Sequence, residues 1–411
     1  MTTTPAAPPR EAVHARVGTS AGFAAQGYVL LLLLLNLDAF KDRYDVGDGT
    51  IDAAMLGVLL AAAGGSGLAD WLSRRPGGSR VALASGLGLI AVVLPVVAVA
   101  PSFAVAAGAL VVYGVALGTV DASTNMQGVA TQRVAGRPLT AGFYAAWSAG
   151  AIVSTLAVSF TRLAGLETDP VHVLLLSATP VAAVAAVLVV RLGMRNDHGA
   201  TTTAAEQAPG AKLELPWRAM LVLGIAVVAY FAVDNATQAW GTIYLRDALD
   251  AAEWVAPLVI APYLLTTLVS RAFGDAAVRR WGRVAVVRTS ALVGAAGLVL
   301  VIAAPDWPFA MLGFAITGAG LGPIVPLCFS AAGALAPDHA DAVIARLNVF
   351  NYGGTLLGVV IAGLVGAQTS FRAAYVIPVA LVLVVAAIAG RFAVAHDVAG
   401  DPVDEPTEVS A

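Results

Sequence analysis

Apolar runs of about twenty residues recur along the chain, each closed by a short cluster of Arg, Asp, Gly or Pro. A helix needs about 20 apolar residues to cross the hydrocarbon of a bilayer, where backbone polar groups must be satisfied within the segment. The pattern predicts twelve such helices, at about 20–40, 51–69, 81–100, 103–130, 139–162, 171–190, 218–243, 254–272, 285–304, 309–334, 343–366 and 372–394. The expected fold class is an all-α membrane protein. The first run, GYVLLLLLL, lacks a small-x-small cleavage site and eleven spans follow it, so it reads as a retained helix.

One long polar stretch, RLGMRNDHGATTTAAEQAPGAKLELPWR, breaks the pattern between the sixth and seventh spans and reads as a flexible linker. The expected organisation is a tail over 1–17, a six-helix bundle over 18–190, a linker over 191–217, a second bundle over 218–395 and a tail over 396–411. Both tails are expected to be unstructured. The two bundles repeat. GLADWLSRRPG (67–77) follows the second span and AFGDAAVRRWG (272–282) the eighth, with Asp70 and Asp275 offset by 205. GVALGTV (114–120) matches GAGLGPI (318–324) at an offset of 204, and Lys41-Asp42 matches Arg246-Asp247 at 205. Three landmarks at offsets of 204 and 205 indicate a parallel six-plus-six repeat, the construction of one class of secondary transporter with its site near the midplane.

Composition sharpens this. The chain is 59% hydrophobic and 12% charged, about half the charge fraction of a soluble domain. A net charge of −3 gives no basic surface for nucleic acid. Of the 23 Lys and Arg, 18, Arg271 among them, fall on one side of the predicted topology and 5 on the other, which puts both termini in the cytoplasm. Cys328 is alone, and the histidines at 14, 172, 198, 339 and 396 lack metal-ligand spacing. No nucleophile–base set and no phosphate-cradling loop is evident, so neither an enzyme nor a cofactor or metal is expected.

Candidate chemistry lies where polar residues interrupt apolar spans. LGTVDASTNMQ (117–127) places Asp121 twelve residues before Arg133, about 18 Å along a helix and well inside the bilayer. An ionised carboxylate there costs about 2.5–3.5 kcal/mol unless it faces a wet cavity or is protonated. Asn125 is one turn along, with Thr124 beside it. This stripe reads as the lining of an internal pathway whose acid exchanges a proton as the cavity switches sides. Asp234 is similarly deep, with Thr237, Gln238 and Gly241 extending its face; Asp38 stands nearer the outer end. Candidate substrate contacts are Asn125, Tyr144, Trp147, Ser148, Gln238, Trp240, Tyr263, Asn348, Asn351 and Tyr352. Gly114, Gly118, Gly353, Gly354 and Gly358 permit close helix crossings, and Pro323 with Pro326 should kink the tenth span.

Twelve spans, the repeat and D-x-x-x-R-R after spans two and eight resemble the major facilitator superfamily. Asp70, Arg74 and Arg75 match its loop signature, repeated as Asp275, Arg279 and Arg280; Ser66, Trp71 and Ser73 stand where the signature has Gly, Arg and Gly. LNLDAFKDRY (35–44), LGTVDASTNMQ and GFYAAWSAGA (142–151) resemble the fucose permease branch, whose first- and fourth-helix acids serve proton coupling; Asp38 and Asp121 match them. The resemblance implies two six-helix bundles rocking around a central site, a monomer in a bacterial inner membrane, and a charge latch at the loop acids and arginines. The expected function is a secondary active transporter moving a small polar solute, a monosaccharide being the leading case, with protons as the coupled ion. The alternative is a proton-driven exporter of drugs or metabolites.

Overall fold

The computed structural model describes residues 10–163, 170–194, 217–252, 255, 259–335, 340–368 and 371–392. The first half contains α1 (Arg10–Leu34), α2 (Leu37–Tyr44), α3 (Asp48–Ser73), α4 (Gly78–Ala98), α5 (Phe103–Ala135), α6 (Thr140–Leu163) and α7 (Pro170–Leu192). The second contains α8 (Trp217–Ile243), a π-helical turn (Tyr244–Ala248), α9 (Ile260–Trp281), α10 (Arg283–Ala303), α11 (Trp307–Leu321), α12 (Ile324–Leu335), α13 (Ala340–Gln368), α14 (Phe371–Ala374) and α15 (Val376–Ile388). The described residues contain ten helical segments long and apolar enough to span a bilayer. The ten leave out α9, which carries Arg271 and Asp275 within its length, and α13, which carries Asp341, Arg346, Asn348, Asn351 and Tyr352. With these two the architecture is the twelve-helix, six-plus-six arrangement expected.

The boundaries differ in two places. Helix starts at Arg10, inside the segment expected to be an unstructured tail. The tenth crossing is broken: α11 stops at Leu321 and α12 begins at Ile324, so Pro323 interrupts the hydrogen-bond ladder rather than bending it. Most of the expected linker and the tail 396–411 lie outside the described residues.

Within lipid there is little hydrophobic drive between helices, so close backbone approach supplies the packing. A Cβ on Gly118 would sit 1.8 Å from the Ala62 carbonyl of α3, and one on Gly358 2.4 Å from the Ala232 carbonyl of α8. Gly114 and Gly354 are equally committed to these two crossings, whereas Gly353 faces open space. The pair α8–α13 thereby fixes the faces that carry Asp234 and Asn348 relative to one another, and the pair α3–α5 sets the face that carries Asp121 within the first half.

Candidate functional site

Asp121 projects from α5 into the interface between the two halves. Its Oδ1 accepts from Gln26 Nε2 of α1. Its Oδ2 accepts from three donors on α13: Asn351 Nδ2 at 3.0 Å, the Tyr352 hydroxyl at 3.0 Å and Asn348 Nδ2 at 3.4 Å. Asn348, Asn351 and Tyr352 share one helical face by their spacing. Asn348 also donates to Ser66 Oγ of α3 at 3.1 Å. One turn after Asp121, the amide of Asn125 returns to the Asp121 carbonyl at 2.8 Å, and its oxygen accepts from Tyr144 of α6 at 2.8 Å. Five helices from both halves thus converge on this one carboxylate and its turn.

A second cluster centres on Asp234 of α8. Its Oδ1 accepts from Tyr263 of α9 at 2.7 Å, and more weakly from Tyr230 at 3.5 Å; its Oδ2 accepts from Gln238 at 2.8 Å. Beside it is Arg271 of α9, only 4% exposed. Arg271 Nη2 donates to the Tyr230 hydroxyl at 2.5 Å, Nη1 to Ser148 of α6 at 2.7 Å, and Nε to the Gly322 carbonyl at 3.3 Å. The rings of Tyr144, Tyr230 and Trp147 lie 5.4, 5.7 and 5.9 Å from its guanidinium carbon, within cation–π range. The positive-inside count had placed Arg271 at the cytoplasmic surface; α9 instead carries it two turns inward from Arg279.

The signature loops lie at the arginine-rich ends of the helices. Asp70 pairs with Arg74 one turn along at 2.7 Å and with Arg346 of α13, in the other half, at 3.8 Å. Asp275 accepts from the backbone N–H groups of Ala141 and Gly142, at 3.1 and 3.0 Å, which form the N-terminus of α6. A carboxylate there satisfies orphan donors and meets the positive end of the helix dipole. Arg75 lies over the Trp71 ring at 4.1 Å, Arg280 over Trp281 at 5.3 Å, and Arg279 is exposed. The contacts between halves therefore run from Asp70 to Arg346 and from Asp275 to a helix end, rather than to the signature arginines. Gln132 adds a bond to Ser330 of α12 at 2.7 Å. The polar contacts that join the halves extend from mid-helix to this arginine-rich end.

The structure thus brings Asp121, Asn125, Tyr144, Asn348, Asn351 and Tyr352 together, and gathers Asp234, Gln238 and Tyr263 with Trp147 and Ser148 around Arg271. Trp240 lies farther along α8, partly buried. Asp38 falls on α2, and its side chain lies outside the described ones. Sequence reasoning missed Gln26, Ser66, Tyr230, Arg271 and Arg346 as members of these networks. Gln26 and Arg271 carried a usable signal, since each is a strongly polar side chain inside an apolar run. Ser66 and Tyr230 carried none, because hydroxyls are common in transmembrane packing.

Comparison with known proteins agrees with this architecture. The family model of the Major Facilitator Superfamily matches residues 222–409. The uncharacterized transporter y4wD of Sinorhizobium fredii (strain NBRC 101917 / NGR234) is 25% identical over 361 residues, 88% of this chain and 93% of its own. The proton:xylose symporter XylE, bound to 6-bromo-6-deoxy-D-glucose, superposes with a TM-score of 0.76 at 12% identity, covering 93% of this chain and 95% of its own. FucP, solved in the outward conformation, superposes with a TM-score of 0.73 at 15% identity, covering 93% of this chain and 99% of its own. At such identities the solved structures speak for the fold alone. With the family model on the second half and y4wD matching across both, the chain is similar in sequence and fold to membrane transporters of the Major Facilitator Superfamily.

Proposed function

We propose that this transporter moves a small polar solute by proton-coupled alternating access, with Asp121 as the proton-carrying group. One observation carries the reading: a carboxylate on the first half is bonded to three donors on a single helix of the second. Parting the halves at that level removes the three donors together. The carboxylate is then exposed to the newly opened side, where it exchanges a proton. Rejoining the halves requires it to be ionised again, or to hand its donors a different acceptor. Proton occupancy and access are thereby tied to one set of bonds. Asp234, bonded mainly within its own half, serves as the second acid of the pathway.

Asp70 with Arg346 and Asp275 with the α6 N-terminus act as latches holding the arginine-rich end shut. By the positive-inside bias that end is cytoplasmic, which makes the described state outward-facing. The membrane is the plasma, or inner, membrane, both termini are cytoplasmic, and the working unit is a monomer. XylE is a proton:xylose symporter and FucP a fucose:proton symporter, which favours symport of a sugar-sized solute and makes Asn348, Asn351, Tyr352, Asn125 and Tyr144 its contacts. The test is proton flux in proteoliposomes carrying an internal pH dye, with sugars, polyols and their acids added outside. Solute-triggered proton movement lost in Asp121→Asn, with solute exchange retained, is the expected result. Proton movement that persists in Asp121→Asn sinks the coupling role.

A further inference from the structure

Arg271 has no carboxylate within ion-pair distance among the described residues, although it is buried midway along α9. A buried guanidinium with no carboxylate in direct contact is costly, and such groups are normally paired or serve a ligand. Its two Nη atoms are held by hydroxyls from opposite halves, Ser148 and Tyr230. Hydroxyls are neutral acceptors that a carboxylate's two oxygens can replace, giving a bidentate pair. Nε is tied to the Gly322 carbonyl, which fixes the plane of the fork. The Tyr144, Trp147 and Tyr230 rings surround the guanidinium and would offer an apolar surface to the body of a ligand.

We propose that Arg271 is a carboxylate-binding residue and that the solute is a small organic monocarboxylate. This rests on the cleft between the halves being the solute's path, as proposed above. One guanidinium balances one negative charge, so a phosphate monoester would leave charge uncompensated. Asp234 is the internal counter-charge: it reaches Arg271 only through the Tyr230 hydroxyl, at 3.5 Å on one side and 2.5 Å on the other. A solute carboxylate competes with that link, since both draw on the donors of Arg271 and Tyr230.

The experiment is a ligand-dependent thermal shift on the purified full-length protein in detergent, using matched pairs: gluconate against glucose, and lactate against 1,2-propanediol. The acids are expected to raise the melting midpoint and the neutral members not to. Arg271→Gln is expected to weaken acid binding at least about tenfold, as loss of a charge-assisted bond does. Asp234→Asn, which removes the internal competitor, is expected to tighten it several-fold. Equal shifts from the neutral members, no shift from either acid, or acid binding unchanged in Arg271→Gln each overturn the proposal. Should Arg271→Gln not fold, Arg271→Lys and Asp234→Asn carry the test: unchanged affinity in both overturns it. The readout involves no gradient, so failure of proton coupling in Asp121→Asn is a separate result.

Discussion

The two acidic centres differ in where their partners come from. Asp121 is held by three donors on the opposite half and one on its own. Asp234 is held by Tyr263, Gln238 and Tyr230, all of its own half. A bond within one half survives any rigid rocking of the two halves; a bond between halves does not. The cleft is thus asymmetric despite the repeat. On the proposed mechanism its first-half acid would respond to the conformational state, and its second-half acid to the charge on its neighbour Arg271. At the Asp234 cluster the second half reaches the first through a cation, by Arg271 to Ser148, rather than through Asp234 itself.

The strongest test of this contrast replaces each acid in turn. Asp121→Asn is expected to abolish uphill solute accumulation, by about 100-fold or more, while exchange of labelled solute continues. Asp234→Asn should cost far less in the same assay; equal losses would erase the distinction. Next in size is the double variant Asn351→Ala with Tyr352→Phe. Hydrogen bonds to a charged group contribute about 1.5–3 kcal/mol each, so accumulation should fall at least about tenfold. The matching change Tyr263→Phe on the other acid should be milder, since Gln238 and Tyr230 remain to hold Asp234.

Latch changes should act on state populations rather than on coupling. Asp275→Asn removes a charge from the α6 N-terminus, worth about 0.3–1 kcal/mol and up to about 2 when partly buried. The fraction closed at the arginine-rich end, read by spin-label distances across α6 and α9, should fall several-fold. Asp70→Asn should do less, because its Arg346 partner is 3.8 Å away and 34% exposed. The smallest effect is expected at the opposite end. The Arg246 hydrogen bond holds the Asp247 carboxyl below its ordinary value. A carboxyl lowered in this way stabilises the fold where it is ionised and loses that contribution as pH falls through the lowered value. This one is fully exposed, so thermal melts of Asp247→Asn and wild type should coincide at neutral pH, and a clear difference would mean that the outer end also carries a latch.

Twelve spans, two halves and their equivalence followed from the sequence because the bilayer imposes a fixed length of apolar helix, and a 205-residue offset leaves its mark on loops as well as spans. Asp121 and Asp234 were equally visible, since a charge among apolar residues stands out whatever its partners. The tertiary structure alone decided who those partners are. Spacing along α13 puts Asn348 and Tyr352 on one face, but that this face meets α5 depends on how two separately folded halves are docked. The same docking turned the contacts of Asp70 and Asp275 between halves away from the signature arginines, toward Arg346 and the α6 N-terminus. It also buried Arg271, which the charge bias assigns to the cytoplasmic surface, in the cleft. Chain pattern records how each helix meets lipid; contacts between halves are made by side chains hundreds of residues apart, and no local periodicity encodes them.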